Sequence, residues 1–199
     1  EVSPEAYLLH SGKRPVFTVL GVEDYNAKSD RSEFSKTEFY EHPDRFDSNF
    51  MRFAKVSDLY VSCHYWDAKA PFIFTREDAR SDDFNIKVVA DISCDIDGPV
   101  ASTLRPSTIA DPLYGYNPKM EKETDFSDPA AIGVMAVDNL PCELPKDASE
   151  DFGDELIKHI IPELLKDNSD VIYRATETNL EGELTEPYAY LKDFVEGKE

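Results

Sequence analysis

The chain has 199 residues, of which 41 are acidic and 21 basic, giving a formal net charge of −20. That balance argues against nucleic acid or anionic membranes as partners, since both demand clustered Lys and Arg. A hydrophobic fraction of 41%, with 12 Phe and 10 Tyr, argues for a folded globular protein and against a disordered chain.

No window approaches the ~18 consecutive apolar residues of a membrane span, and no basic-then-apolar leader is visible, so the expected compartment is the cytoplasm. In chain order, Val16–Val22 is a short apolar run, and 23–47 is a charged, aromatic stretch that reads as a helix-containing connection. Leu59–Tyr65 reads as a strand, followed by a turn at 67–71 and an acid-rich helix start at 75–80. Ile86–Ile92 and Ile132–Val137 read as two further strands. All three are continuous apolar runs without strict alternation, the pattern of parallel strands covered on both faces.

The best helix follows. Asp147 with Glu150 reads as a capping box, and Phe152, Leu156, Ile157, Ile160, Ile161, Leu164 and Leu165 form one stripe at helical spacing, expected to be core. Pro162 inside that stripe predicts a kink or an early end. Past residue 168 the pattern weakens to a polar tail, with Tyr188, Tyr190, Leu191 and Phe194 marking a last packed segment.

Strands separated by helices and loops give an α/β class with a mainly parallel sheet, whose ligands bind at the carboxyl ends of the strands. Those ends carry Cys63-His64-Tyr65-Trp66, Ser93-Cys94-Asp95 and Asp138-Asn139. A single Asp in such a place can simply cap a loop; three ends pointing one way favour a shared site. The three cysteines (Cys63, Cys94, Cys142) are far apart with no CxxC, and the four histidines are scattered, so no metal site is expected.

Two chemistries can be tested on "ISCDIDGPV". An aspartate-nucleophile phosphatase would use Asp95 and Asp97 with Mg²⁺, but its motif belongs near the N-terminus with a Lys and an acid pair behind it, and here the Asp82-Asp83 pair precedes it. A calcium loop starting at Ser93 would put Leu104 where the bidentate Glu must be.

The stretches "SDLYVSCHYWDAKAPFIFTRED", "VVADISCDIDGPVASTLRPSTIADPLYGY" and "VMAVDNLPCELPKDASEDFGDELIKHIIPELL" resemble the lysine-forming saccharopine dehydrogenase and lysine-ketoglutarate reductase branch of the alanine dehydrogenase/pyridine nucleotide transhydrogenase superfamily. "YEHPDRFDSNF" resembles the same branch, and the similarity covers most of residues 38–195. It implies a Rossmann-like three-layer domain with NAD or NADP as cofactor. By resemblance, Asp138 matches the active-site aspartate of an Asp-x-Leu-Pro motif, and Asp95 a strand-end aspartate beside the nicotinamide. Tyr65 and Trp66 would border the cofactor, and Val137 and Asn139 would offer backbone to its nicotinamide end. Asp91 and Asp97 are read as loop caps, and Cys94 and Cys142 as packing residues.

One departure stands out. The eight glycines contain no GxGxxG, so the first strand and its pyrophosphate-binding loop are not in this chain. The resemblance places that loop just before an "EVSPE"-like stretch, here residues 1–5, and the family's Lys and His acid/base pair further upstream. The expectation is a C-terminal piece of a longer enzyme: 1–150 part of the nucleotide-binding domain, 151–199 a helix and tail returning to the substrate domain. Such a piece should expose an apolar sheet edge, be inactive alone, and lean on the N-terminal part of the same enzyme or on a second copy. The implied substrate is an amino acid, saccharopine. An alanine dehydrogenase-like enzyme and a non-catalytic Rossmann-like binding module remain the alternatives.

Overall fold

The computed structural model describes residues 1–198. The chain divides into two compact units, Glu1–Leu140 and Pro141–Glu199.

The first unit is built on a five-stranded sheet of β3 (Leu59–Ser62), β4 (Val88–Asp91), β5 (Leu113–Asn117), β6 (Lys122–Thr124) and β7 (Ile132–Met135), in the order β3-β4-β7-β5-β6. β3, β4 and β7 run parallel, and the hairpin β5–β6 extends them antiparallel through β5 on β7. The α/β class and the Rossmann-like parallel core therefore hold, and the three apolar runs read from sequence are the three parallel strands. The hairpin was not expected. Its strand carries Gly115, whose place follows from packing: it lies opposite Gly133 on β7, and a Cβ on Gly115 would stand 2.4 Å from the Asp125 carbonyl oxygen.

The core gathers Phe50, Phe53, Phe74, Val89, Val100, Tyr116 and Val134, all nearly or fully buried. β4 and β7 are covered, as their continuous apolar runs require, with Val89 and Val134 fully buried. β3 is not covered on both faces: it is one of the two outer strands, and Leu59 (56%) and Val61 (46%) are exposed. The charged connection 23–47 contains a helix, Lys36–Glu41, as expected, and also a small antiparallel ladder of β1 (Asn26–Lys28) and β2 (Phe46–Ser48). Phe34, Phe39 and Phe46 close it, with Phe39 and Phe46 edge-to-face at 5.1 Å.

In the second unit the main helix spans Pro145–Glu155. It opens on Pro145 at its first turn, with Leu144 before it and no side-chain cap, so Asp147 serves as a first-turn acid and not as the expected capping residue. Leu156–Ile160 then forms a π-helical turn, followed by a short α-helix, Ile161–Leu164. Pro162 accounts for the irregularity, because it has no N–H to give the Lys158 carbonyl. The apolar stripe is not core: Phe152 (66%), Ile157 (67%) and Leu165 (83%) are exposed. Periodicity identified an apolar face correctly and could not say what covers it. In the tail, Tyr188 and Tyr190 stack at 6.1 Å, while Phe194 stays exposed.

Candidate functional site

The carboxyl ends of the three parallel strands are cross-linked by polar side chains. Ser62, the last residue of β3 and fully buried, shares a hydrogen bond of 2.9 Å with Ser93 Oγ in the loop after β4. Its hydroxyl also meets His64 Nδ1 at 3.1 Å. Asp91, the last residue of β4, is 1% exposed. Its Oδ1 accepts the Cys94 N–H at 3.1 Å and its Oδ2 accepts the Thr103 hydroxyl at 2.6 Å. The expected capping role of Asp91 is what the structure has, but inside the protein, where a carboxylate is tolerated only with such donors.

Cys94 takes a left-handed backbone, φ 53°, and so turns the chain sharply between Asp91 and Asp95. Its Sγ donates to the Ala136 carbonyl at 3.3 Å, which fastens the β4 loop to the chain leaving β7. Ser107 completes the tie, donating its N–H to the Ala136 carbonyl at 2.8 Å and accepting the Ala136 N–H on its Oγ at 3.0 Å. Two residues further on, Asp138 and Asn139 emerge exposed. Gly98 is fixed by the same loop, since a Cβ there would lie 2.6 Å from Asp95 Cβ. The Asp-Ile-Asp-Gly sequence is thus a tight turn, and Asp97 (φ 51°) faces outward to Arg76 at 3.3 Å.

The electrostatics record which groups share this edge. Burial pushes the Cys94 thiol up, and the carboxylates of Asp91, Asp138 and Asp95 push it in the same direction. Burial holds the His64 imidazole down, against the opposing pull of Asp91 and Asp95. Asp95 follows Cys94 directly and Asp138 lies two residues beyond Ala136, so the Cys94 Sγ bond to the Ala136 carbonyl ties together the two segments that carry them. Val137 is buried beside them, joined by a bridge to Ser107. Tyr65 is 92% exposed, while Trp66 is turned onto its own loop, with its indole N–H donating to the Ala70 and Pro71 carbonyls at 3.3 and 3.2 Å and its ring 5.5 Å from Phe72. Among the described residues no three His, Cys, Asp or Glu side chains come together to hold a metal.

Sequence reasoning singled out Cys94, Asp95 and Asp138 but not Ser62, Thr103 or Ser107, which build the frame. Small hydroxyl residues in "ASTLRPST" carry no periodic signal, and only the fold shows that Thr103 returns to β4 and Ser107 to β7.

No family model matches the chain. Among curated proteins it is 30% identical over 133 residues to an alpha-aminoadipic semialdehyde synthase of Arabidopsis thaliana, covering 65% of this chain and 12% of that protein. It is 26% identical over an alignment of 208 positions to the mitochondrial alpha-aminoadipic semialdehyde synthase of Mus musculus, covering 92% of this chain and 22% of that protein. It is 30% identical over 123 residues to the NAD(+), L-lysine-forming saccharopine dehydrogenase of Schizosaccharomyces pombe, covering 60% of this chain and 31% of that protein. The resemblance read from the sequence is borne out: these are homologues, and the chain spans less than a third of the length of each of the three.

Proposed function

We propose that the chain is part of a nicotinamide-dependent oxidoreductase of lysine metabolism, acting on the CH–NH bond of saccharopine. The observation that carries this reading is the Cys94 Sγ hydrogen bond to the Ala136 carbonyl at 3.3 Å, which fastens the loop bearing Asp95 to the chain bearing Asp138, at the carboxyl ends of parallel strands, where ligands bind in such sheets. The saccharopine dehydrogenases among its relatives supply the substrate class and favour NAD over NADP.

The residues present fit one end of the cofactor only. No glycine-rich loop exists to take a pyrophosphate, and Gly98 is occupied with its own turn. The chain would hold the nicotinamide end, through the Val137 and Asn139 backbone and the Tyr65 and Trp66 rings, with the remaining contacts made outside it. When bound, the nicotinamide supplies hydride exchange. This chain's carboxylates then do the positioning: Asp138 and Asp95 set negative charge where the secondary amine must lie, favouring the cationic iminium that the neutral amine becomes when its carbon gives up hydride. The Asp91, Ser62 and Ser107 ties keep those carboxylates from drifting apart. Residues 1–150 would belong to the nucleotide domain and 151–199 to a return towards a substrate domain. On this reading the chain is inactive alone and works beside the N-terminal part of the same enzyme. We keep the cytoplasm as its compartment, although the animal relatives are named mitochondrial.

The test is absorbance at the reduced-nicotinamide band, using the longer protein that carries this chain, with saccharopine and NAD⁺ or NADP⁺, and Asp138→Ala in parallel. Nucleotide reduction that collapses in the variant is expected. A flat trace from a folded, cofactor-binding protein would overturn the reading, and turnover of alanine in the same cuvette would replace it.

A further inference from the structure

Residues 102–107 carry two of the ties that hold the strand ends together, yet they lie in neither a helix nor a named strand. Thr103 reaches back to Asp91 on β4 and Ser107 to Ala136 after β7, and Arg105 stands midway, two residues from each. Irregular chain keeps two such contacts in place only if something else holds the chain.

The β5–β6 hairpin does so, from two directions. The Tyr114 hydroxyl on β5 accepts the Leu104 N–H at 3.0 Å and donates to the Ser102 carbonyl at 3.1 Å. Arg105 closes on the hairpin from outside: its Nε and Nη2 donate to the two carboxylate oxygens of Glu123 on β6, each at 2.8 Å, and its Nη1 donates to the Pro106 carbonyl at 3.1 Å. Its guanidinium also lies 4.7 Å from the centre of the Tyr114 ring. A two-point fork fixes direction as well as distance, which a single ion pair does not. Stability is a poor reason for this clamp. The Arg105 and Glu123 side chains are 37% and 44% exposed, and exposed pairs contribute little. Arg76 and Arg80 already hold the hairpin at Glu121. What sets the Glu123 clamp apart is the segment it holds.

We propose that Arg105 is a positioning residue for the candidate site: clamped to Glu123, it keeps Thr103 on Asp91 and Ser107 on Ala136, and so fixes the chain bearing Asp95 relative to the chain bearing Asp138. A displacement of Arg105 reaches Asp95 through Thr103, Asp91 and Cys94, and reaches Asp138 through Ser107 and Ala136. The effect on turnover rests on the saccharopine reading, whereas the effect on the geometry of the strand ends does not.

The experiment uses the longer protein that carries this chain, with Arg105→Gln, Glu123→Gln, the two combined, and Arg80→Gln as the same kind of change at the neighbouring pair. With saccharopine and NAD⁺, each of the first two should lower kcat about tenfold and leave KM for saccharopine nearly unchanged, the mark of positioning lost in the transition state. The combined variant should lose no more than either alone, because the two residues form one clamp. Arg80→Gln should keep wild-type turnover. Alkylation of Cys94 gives a reading that needs no turnover: freeing the Ala136 end should speed it about tenfold in Arg105→Gln and in Glu123→Gln, with urea midpoints close to wild type. A wild-type kcat or a wild-type Cys94 rate in these folded variants, an equal loss in Arg80→Gln, or losses that add in the combined variant would overturn the proposal. If Arg105→Gln is not folded by circular dichroism, Glu123→Gln, which leaves the Arg105 side chain in place, decides. A wild type that does not turn over saccharopine would remove the saccharopine reading, and the Cys94 rates alone would then uphold or overturn the positioning.

Discussion

Thr103 Oγ1 donates to Asp91 Oδ2 at 2.6 Å, and both residues are buried, one at the end of β4 and the other twelve residues on, where the chain has come back to it. The bond is the shortest of those that frame the candidate site. Thr103→Val keeps the shape and removes the donor, leaving Asp91 only the Cys94 N–H among the described residues. We expect a loss of about 2 kcal/mol in urea unfolding, because a buried carboxylate is left short of a partner. In Asp91→Asn the same Thr103→Val change should cost clearly less, so a double-mutant cycle will show coupling between the two positions.

Cys94 offers a readout of the site that needs no substrate. Its thiol is pushed up by burial and by Asp91, Asp138 and Asp95, so at pH 8 it should alkylate more slowly than the exposed Cys63 and Cys142. Asp138→Asn and Asp95→Asn should each speed the Cys94 reaction, measured by mass spectrometry of the digested protein, and leave Cys63 and Cys142 unchanged. Unaltered Cys94 rates in both variants would separate the two carboxylates from this thiol.

His64 makes the stability depend on pH. Burial lowers its folded pKa below the ordinary 6.5, so between the two values the unfolded chain binds more protons than the folded one. Its contribution is therefore fully present above about pH 6.5 and is lost as pH falls from there through the folded pKa. The melting temperature of the wild type should drop more steeply than that of His64→Asn between pH 7 and pH 5, and the two curves should run parallel above pH 7.

How much of this was legible in the sequence depends on what each residue's neighbours are. The strands β3, β4 and β7 show as apolar runs because parallel strands lie in the interior, and their common direction pointed to one edge for Cys94, Asp95 and Asp138. β5 was hidden because Gly115 reads as a turn residue, and only its partner Gly133 explains it. β1 and β2, three residues each, are too short for a period to appear. The stripe from Phe152 to Leu165 was visible, but its exposure was not. The helix start at Pro145 was missed because the Asp147 and Glu150 spacing imitates a cap that the backbone does not use.

The glycine pair on β5 and β7 gives a graded expectation. A Cβ on Gly133 would meet the Phe126 ring edge at 2.5 Å, and Phe126 is 44% exposed, so the ring can swing away. A Cβ on Gly115 would meet the Asp125 carbonyl oxygen at 2.4 Å, and that backbone, directly after β6 and accepting the Asp128 N–H at 3.0 Å, cannot move as a ring can. Gly133→Ala should cost about 1 kcal/mol and Gly115→Ala about 3 kcal/mol, by the usual range for overpacking. Phe126→Ala should relieve the first and leave the second unchanged. Thermal melts of the four variants check this, and a Gly115→Ala protein as stable as Gly133→Ala would show that the β6 side of the sheet yields as easily as a surface ring.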